Sequence, residues 1–349
     1  MRKLVTLQTI KDIRPIQNAD AIEVATVLGW NVVVKKGEFS IGDTAIYFEI
    51  DSFLPCEPHF EFLRKGCYKQ LPDGSEGFRL RTVRLRGQLS QGLLLPLQNF
   101  PDIDFSGMSI GDEVTELLGV TKYEPPMPAV LAGDAKGAFP SFIQKTDQER
   151  IQNLYDDYKS MYADDEFEVT VKLDGSSATY YFKDGEFGVC SRNLELKETE
   201  GNSFWKVARK YEIERILRYL HGETGMNLAL QGELIGEGIQ GNREGLRGQD
   251  FYLFDIYNID EGRYLPPDER SARKSLIAEF AVINHVPRLQ IMKPFQMSLD
   301  ELLEFANGTS LNNPIREGLV FKSVRPLPPT NQIVTFKVIS NKYLENGGE

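Results

Sequence analysis

Lys172-Leu173-Asp174-Gly175 sets an amine two residues before a carboxylate and a turn, the arrangement in this chain best suited to nucleophilic chemistry. A lysine amine has an ordinary pKa of about 10.4, so it attacks an electrophile only where its surroundings help it shed a proton. Four more polar clusters follow in order: Ser191-Arg192-Asn193, Gln231-Gly232-Glu233, Glu317-Gly318-Leu319-Val320 and Lys337. Singly, each fits an ordinary solvated strand, and K-x-D-G alone favours that reading. Taken together and in order, they ask to be positioned around one site.

The elements that would position them are legible from periodicity. In Glu166 to Asp174, Phe167, Val169, Val171 and Leu173 alternate with Glu168, Thr170, Lys172 and Asp174. That is a strand with one apolar and one polar face, and it puts Lys172 on the polar face, toward open space. Before it, Thr146 with Glu149 reads as a capping box for a helix carrying Ile151, Leu154, Tyr155, Tyr158 and Met161. After it come a strand over Ser177 to Phe182, an Asp184-Gly185 hairpin turn and a third strand ending at Ser191-Arg192-Asn193. Asn202 to about Leu220 reads as one helix. Asn227 to Ile235 reads as a strand presenting Gln231 and Glu233 on one face, and Phe251 to Asn258 as its successor. A helix over Pro267 to Ala281, a second capping box at Ser298 and Glu301, and two last strands, Glu317 to Lys322 and Ile333 to Ile339, complete the chain. Hairpins with interspersed helices, rather than alternating βαβ units, predict an α+β fold with antiparallel sheets.

The first part of the chain is different in kind. From Leu4 to about Val120, short strands such as Ile22 to Trp30, Asn31 to Val34 and Thr44 to Ile50 are punctuated by Gly29, Gly37, Gly42 and Asp43, which predicts a small all-β barrel. The segment Ile10 to Asp20, the Gly42-Asp43-Thr44-Ala45 strand start and Arg86 to Pro96 together resemble the tRNA-binding type of OB-fold. Within this region Arg79, Arg81, Arg84 and Arg86 fall in eight residues, and a kink near Thr82 would bring them together to track a phosphate backbone. A charged edge strand kept soluble explains them equally well. Pro125, Pro126 and Pro128, followed by small residues from Ala129 to Ala138, read as a connector. The expected layout is therefore a barrel over 1–122, a linker over 123–143 and a second domain over 144–349.

Composition bounds the rest. The 349 residues are 41% hydrophobic and 26% charged, enough for two globular cores, and no apolar run is long enough to cross a membrane as a helix. A soluble, intracellular protein is expected. Cys56, His59 and Cys67 match no standard zinc spacing, and three cysteines make no disulfide framework, so they read as ordinary residues. The net charge of −11 argues against indiscriminate nucleic-acid binding but leaves local basic patches open.

In this order the five clusters resemble the covalent nucleotidyltransferase superfamily of nucleic-acid ligases and capping enzymes. The runs Gly232 to Gln240, Phe254 to Tyr257 and Glu317 to Lys322 look like its RNA-ligase branch, over about Gln144 to the end. The resemblance implies an ATP-dependent RNA ligase with an N-terminal OB domain, joining 3′-hydroxyl and 5′-phosphate ends, at nicks, in RNA repair. It implies that Lys172 becomes a lysyl-AMP and that Val171, Arg192, Glu233, Phe254, Lys322 and Lys337 contact the nucleotide. Asp174 and Glu317 would assist a divalent metal, Mg²⁺ or Mn²⁺, through water. Arg79, Arg81, Arg84, Arg86 and Arg150 would meet RNA or the ATP triphosphate. No membrane and no protein partner are implied. Two departures stand out: Thr335 occupies the place where many RNA ligases have a first lysine before Lys337, and strict alternation sets Glu317 and Lys322 on opposite faces. Either the strand bulges at Gly318 or one of the two is misassigned. The alternatives are a DNA ligase or GTP-dependent capping enzyme, a non-catalytic OB-type RNA-binding protein, and an adenylyltransferase that acts without a polynucleotide.

Overall fold

A computed structural model describes residues 3–124, 133–312 and 314–347. Pro125, Pro126, Pro128 and Ala129 of the expected connector lie outside these residues. Two compact units emerge, one of Met1–Pro126 with Ile151–Asp157 and one of Met127–Arg150 with Tyr158–Glu349. Among the described residues no helix is long and apolar enough to cross a membrane.

The first unit is built of short antiparallel strands. Ile22–Val27 and Trp30–Lys35 form a hairpin that turns at Leu28-Gly29, where Leu28 adopts φ 51°. Trp30 therefore begins the second strand instead of ending the first. Trp30, Val32 and Val34 are buried on alternate positions, the inward face of a half-buried strand. Val5–Thr9, Thr44–Phe48 and Leu93–Pro96 form a second sheet, and Thr121–Lys122, Ser52–Pro55, Glu76–Arg79 and Tyr68–Gln70 a third. Val5, Ile46, Phe48, Leu54, Phe60 and Phe78 join in its core.

The second unit contains two sheets of unequal size. In the larger, the order is Ala135–Ala138, Leu194–Leu196, Glu186–Cys190, Ser176–Lys183, Leu228–Gly236, Gln249–Asn258 and Arg263–Tyr264, all antiparallel, with Asn284–His285 adding one short parallel pairing. Its apolar face, with Tyr180, Leu228, Leu230, Leu234 and Leu253, is covered by helices that contribute Phe204, Val207, Ile213, Ile216, Leu217, Leu220 and Ile277. The smaller sheet runs Arg288–Met292, Phe167–Lys172, Gly318–Ser323 and Thr335–Ile339. Its apolar face is aromatic: Phe321 stacks on Phe336 with centroids 4.7 Å apart, and Phe167 and Phe295 are tilted against the same ring and meet each other edge-on.

Three sequence expectations are corrected here. The helix expected over Asn202 to Leu220 is two, Ser203–Lys210 and Ile213–Thr224, because Glu212 takes a left-handed conformation at φ 49°. The break lets both segments turn their apolar stripes into one core. Thr146 and Glu149 do not cap a helix: Ile151–Tyr162 starts later, with Arg150 at its N-cap and no side-chain cap. The Lys337 amide donates to the Glu149 carbonyl at 2.9 Å and Arg150 bridges Lys337, so Glu149 and Arg150 stay extended beside the last strand. Finally, the polar face of the lysine strand does not look into open space. Glu168 is 3% exposed, because its carboxylate is covered by Arg270 of the helix Pro267–Ile277 and by Arg288 of the neighbouring strand. Ser298 and Glu301 do form the expected capping box, on Leu299–Phe305.

Candidate active site

The lysine strand Phe167–Lys172 pairs in unbroken register with Gly318–Ser323, so Glu168 faces Lys322, Thr170 faces Val320 and Lys172 faces Gly318. The last strand continues the rows, with Lys337 opposite Val320 and Thr335 opposite Lys322. Lys172, Lys322, Lys337 and Thr335 thus share one face. No bulge interrupts the register at Gly318, so of the two alternatives for Glu317 and Lys322 the bulge does not occur. Glu317 lies one residue before the strand begins, so strand alternation does not govern its side chain, and its carboxylate accepts from the Lys172 amine at 2.7 Å. Its backbone is fixed by the Ser340 amide, 2.9 Å from its carbonyl.

Gly318 allows the three strands to close. A Cβ there would sit 2.2 Å from the Val338 carbonyl oxygen, backbone that cannot yield cheaply. Gly318→Ala should therefore force the last strand away from the lysine strand, costing about 1–3 kcal/mol and weakening any activity that depends on Lys172 and Glu317 together. Thermal unfolding with a parallel activity assay checks this; an unchanged melting point would contradict it.

Around Lys172 the charges are crowded. Gly175 packs directly on the neighbouring strand, where an added Cβ would lie 2.5 Å from the Leu234 carbonyl and 2.9 Å from Glu233 Cγ. This close approach brings Glu233 into the same cluster. Burial works against the Lys172 ammonium, but Glu317, Glu233 and Asp174 outweigh it and hold the amine above its ordinary value. Burial raises the Asp174 carboxyl, with the hydrogen bond from Tyr343 opposing. Burial pushes Glu233 up to about 8 despite the attraction of Lys172. The site thus holds one proton-retaining amine beside Asp174 and Glu233, whose carboxyls burial raises.

Farther along the same face lies a buried ion cluster. Lys322, 2% exposed, donates to Asp255 and to the Phe254 carbonyl, each at 2.8 Å. Arg270 pairs with Glu168 and lies 3.6 Å from Asp255, and Arg288 reaches Glu168 at 2.8 Å. Burial and Arg270 lower the Lys322 pKa, and Asp255 opposes them. The Phe254 ring lies 5.2 Å from the same amine. Consecutive strand residues ordinarily point to opposite faces, and a bulge resolves this: Gln231 pairs with Asp255 and Gly232 with Leu253, leaving Phe254 as the extra residue. Phe254 stays half-buried, free to offer its ring to a planar ligand.

The remaining expected residues lie elsewhere. Arg192 is exposed and pairs with Asp147 at 2.7 Å. Val171 is buried, its amide donating to Pro287 at 2.9 Å. Arg150 is 6% exposed. The four arginines belong to the first unit and are divided by a strand break at Leu80-Arg81. Arg79 lies in Glu76–Arg79, near Asp51 at 3.7 Å and over the Tyr123 ring at 4.0 Å. Arg81, Arg84 and Arg86 are exposed along the hairpin of Thr82–Leu85 and Gln88–Gln91, whose turn places Arg86 and Gly87 at positive φ.

A family model described as RNA ligase matches residues 165–339, the whole span from the lysine strand to the last strand. The chain belongs to the RNA ligase family. A model described as an OB-fold domain matches residues 4–97, so the ligase carries an N-terminal OB-fold domain ahead of its catalytic domain, in an α+β chain. Among solved structures, the ligase is similar to Naegleria gruberi RNA ligase with PPi, at 49% identity and TM-score 0.90 over 99% of each chain. It matches a variant of that enzyme with AMP and Mn at 48% identity and TM-score 0.91, also over 99% of each chain. An apo variant gives 49% and 0.90 over 99% of this chain and 98% of the other. No curated protein matches the chain in the sequence comparison.

Sequence reasoning missed Glu244, Arg243 and Tyr343. Buried Glu244 accepts from the Asp174 amide at 3.3 Å, from Ser310 Oγ at 2.8 Å and from the Leu311 amide at 3.3 Å. Arg243 Nε lies 3.3 Å from Asp174 Oδ2, and the Tyr343 hydroxyl donates to the same oxygen at 2.7 Å. The sequence carries no periodic signal for contacts between a glycine-rich loop, a C-terminal turn and a strand end. Among the described residues no three carboxylate, histidine or cysteine groups gather into a metal cage. Asp174 and Glu317 instead offer hard oxygen donors, a set that fits a Mg²⁺-like ion completed by water and phosphate oxygens.

Proposed function

We propose that the ligase joins RNA 3′-hydroxyl and 5′-phosphate ends at nicks in a duplex, using ATP, and so serves RNA repair. The observation that carries the reading is Lys172 at the end of its strand, its amine on Glu317 at 2.7 Å and within the charge cluster of Asp174 and Glu233. In the first step the deprotonated Lys172 Nζ attacks the α-phosphorus of ATP and pyrophosphate leaves, giving lysyl-AMP. An RNA 5′-phosphate oxygen then takes the AMP and releases the lysine amine. Attack by the 3′-hydroxyl on that phosphate expels AMP and forms the phosphodiester.

Each side chain has a role in this scheme. Asp174 and Glu317 hold a divalent cation, Mg²⁺ or Mn²⁺, through water. When bound, it offsets carboxylate charge near the amine and negative charge on the α-phosphate. Phe254 stacks on adenine, Glu233 holds a ribose hydroxyl, and Val171 lines the nucleotide site. Lys337 and Lys322 serve the α-phosphate, with Thr335 instead of a second lysine two positions before Lys337. For Lys322, the ion pair to Asp255 must loosen before its amine can move to phosphate. Arg192 exchanges Asp147 for nucleotide or the 5′-phosphate. A domain over 1–122, joined by 123–143 to an adenylyltransferase over 144–349, holds RNA or the triphosphate. Exposed Arg81, Arg84 and Arg86 and half-buried Arg79 supply the contacts there, and in the adenylyltransferase domain buried Arg150 contacts RNA or the triphosphate.

The test is a duplex with one RNA nick bearing a labelled 5′-phosphate. Purified protein with ATP and Mg²⁺ should convert it to a sealed strand, and a nick lacking the 3′-hydroxyl should stop at adenylated RNA. Sealing of DNA ends with no activity on RNA, or covalent labelling from GTP instead of ATP, would overturn the reading.

A further inference from the structure

Asp174 is held from three sides by residues outside its own strand. Glu244 accepts from its amide, while Arg243 and Tyr343 both engage Oδ2. Among the described residues Oδ1 takes part in no hydrogen bond. The Arg243 guanidinium also lies over the Tyr343 ring, 5.0 Å from its centroid, so the two clamping groups fix each other.

Tyr343 sits on the short helix Asn341–Glu345, and its placement is indirect but tight. Ser340 caps that helix, its Oγ accepting from the Tyr343 amide at 3.2 Å and donating to Asn307 at 2.7 Å. The same residue's amide donates to the Glu317 carbonyl. One turn, Ser340 to Tyr343, therefore fixes the backbone of one carboxylate beside Lys172 and the side chain of the other.

Resting on the reading above, we infer that Tyr343 is a positioning residue for the metal-dependent chemistry of this site. Its hydroxyl, with Arg243, occupies Asp174 Oδ2 and leaves Oδ1 as the oxygen available to the cation's water shell. A carboxylate released from this clamp rotates about its Cβ–Cγ bond and loses part of its time in the productive orientation. Removing such outer hydrogen bonds typically weakens metal binding about 10–100-fold.

The experiment measures Mn²⁺ affinity by electron paramagnetic resonance for parent and Tyr343→Phe, each with an ATP analogue whose α,β-bridge is methylene. Tyr343→Phe should bind Mn²⁺ about tenfold more weakly. Its adenylation by ATP should fall at limiting Mn²⁺ and recover to within about twofold at saturation, with an unchanged KM for ATP. Arg243→Gln, an exposed change on the same oxygen, should weaken Mn²⁺ in the same direction and keeps the inference testable if the buried Tyr343→Phe unfolds. Equal Mn²⁺ affinity in both folded variants and parent would overturn it. If the parent takes no label from ATP, the proposed function fails instead.

Discussion

Lys172→Ala is expected to take up no label from ATP carrying a labelled α-phosphate, while the parent protein labels stoichiometrically with divalent metal. Loss of a covalent nucleophile removes the step outright, so the drop should be roughly a thousandfold or more, down to the detection limit. The variant should also fail to seal a nick with ATP, yet should seal one whose 5′ end is already adenylated, since that step does not need the amine. Unchanged labelling would exclude Lys172 as the nucleophile. The charge cluster adds a pH dependence. Glu317, Glu233 and Asp174 hold the amine above its ordinary value, so in the free enzyme the proton leaves only at high pH. The parent's adenylation rate at low metal should climb as pH rises through the neutral and alkaline range. Raising the metal concentration should shift this rise toward lower pH, because added positive charge favours the neutral amine. The linkage follows the same sign: the raised lysine contributes stability below its unfolded pKa and loses it as pH rises through the folded value.

Arg270→Ala is expected to lower stability more than any single surface change. Arg270 is 1% exposed and bonds Glu168 while facing Asp255, both of them buried. Removing it strands two carboxylates with only Lys322 and Arg288 to answer them, a change that costs about 3–5 kcal/mol. A fall in melting temperature of roughly 10 °C follows for a unit of this size. Arg270→Met with the Glu168→Gln change should recover part of the loss, because it removes an uncompensated charge. A melting point of Arg270→Ala within a degree or two of the parent would show that the cluster contributes no net stabilisation. ATP labelling measured below the new melting point separates this from any role in nucleotide binding.

The strands around the site were legible because their signals are local. Alternation placed Lys172 on the polar side of its strand, and the same rule placed Glu233 opposite the apolar row of Leu228, Leu230 and Leu234. Turn chemistry also read correctly at Asp184-Gly185, both at positive φ. Where the reading failed, a distant partner decided the local outcome. Thr146 and Glu149 spell a capping box, but pairing with Lys337 keeps the backbone there extended. Glu212 interrupts a helical pattern because two separate stripes must reach one core.

By itself, then, the sequence determined the type of chemistry: an amine before Asp-Gly, followed in order by arginine, glutamate, glutamate and lysine at strand ends or on strand faces. Only the tertiary structure decided how those groups are held. It buried the face expected to be solvated, re-aimed Phe254 through a bulge, and drew Glu317 onto Lys172 from just outside the ladder. It also brought Glu244, Arg243 and Tyr343 to Asp174. The physical reason is range. Periodicity and turns are set by neighbours a few residues apart, whereas Tyr343 meets a carboxylate 169 positions away only after two sheets and a C-terminal turn have closed.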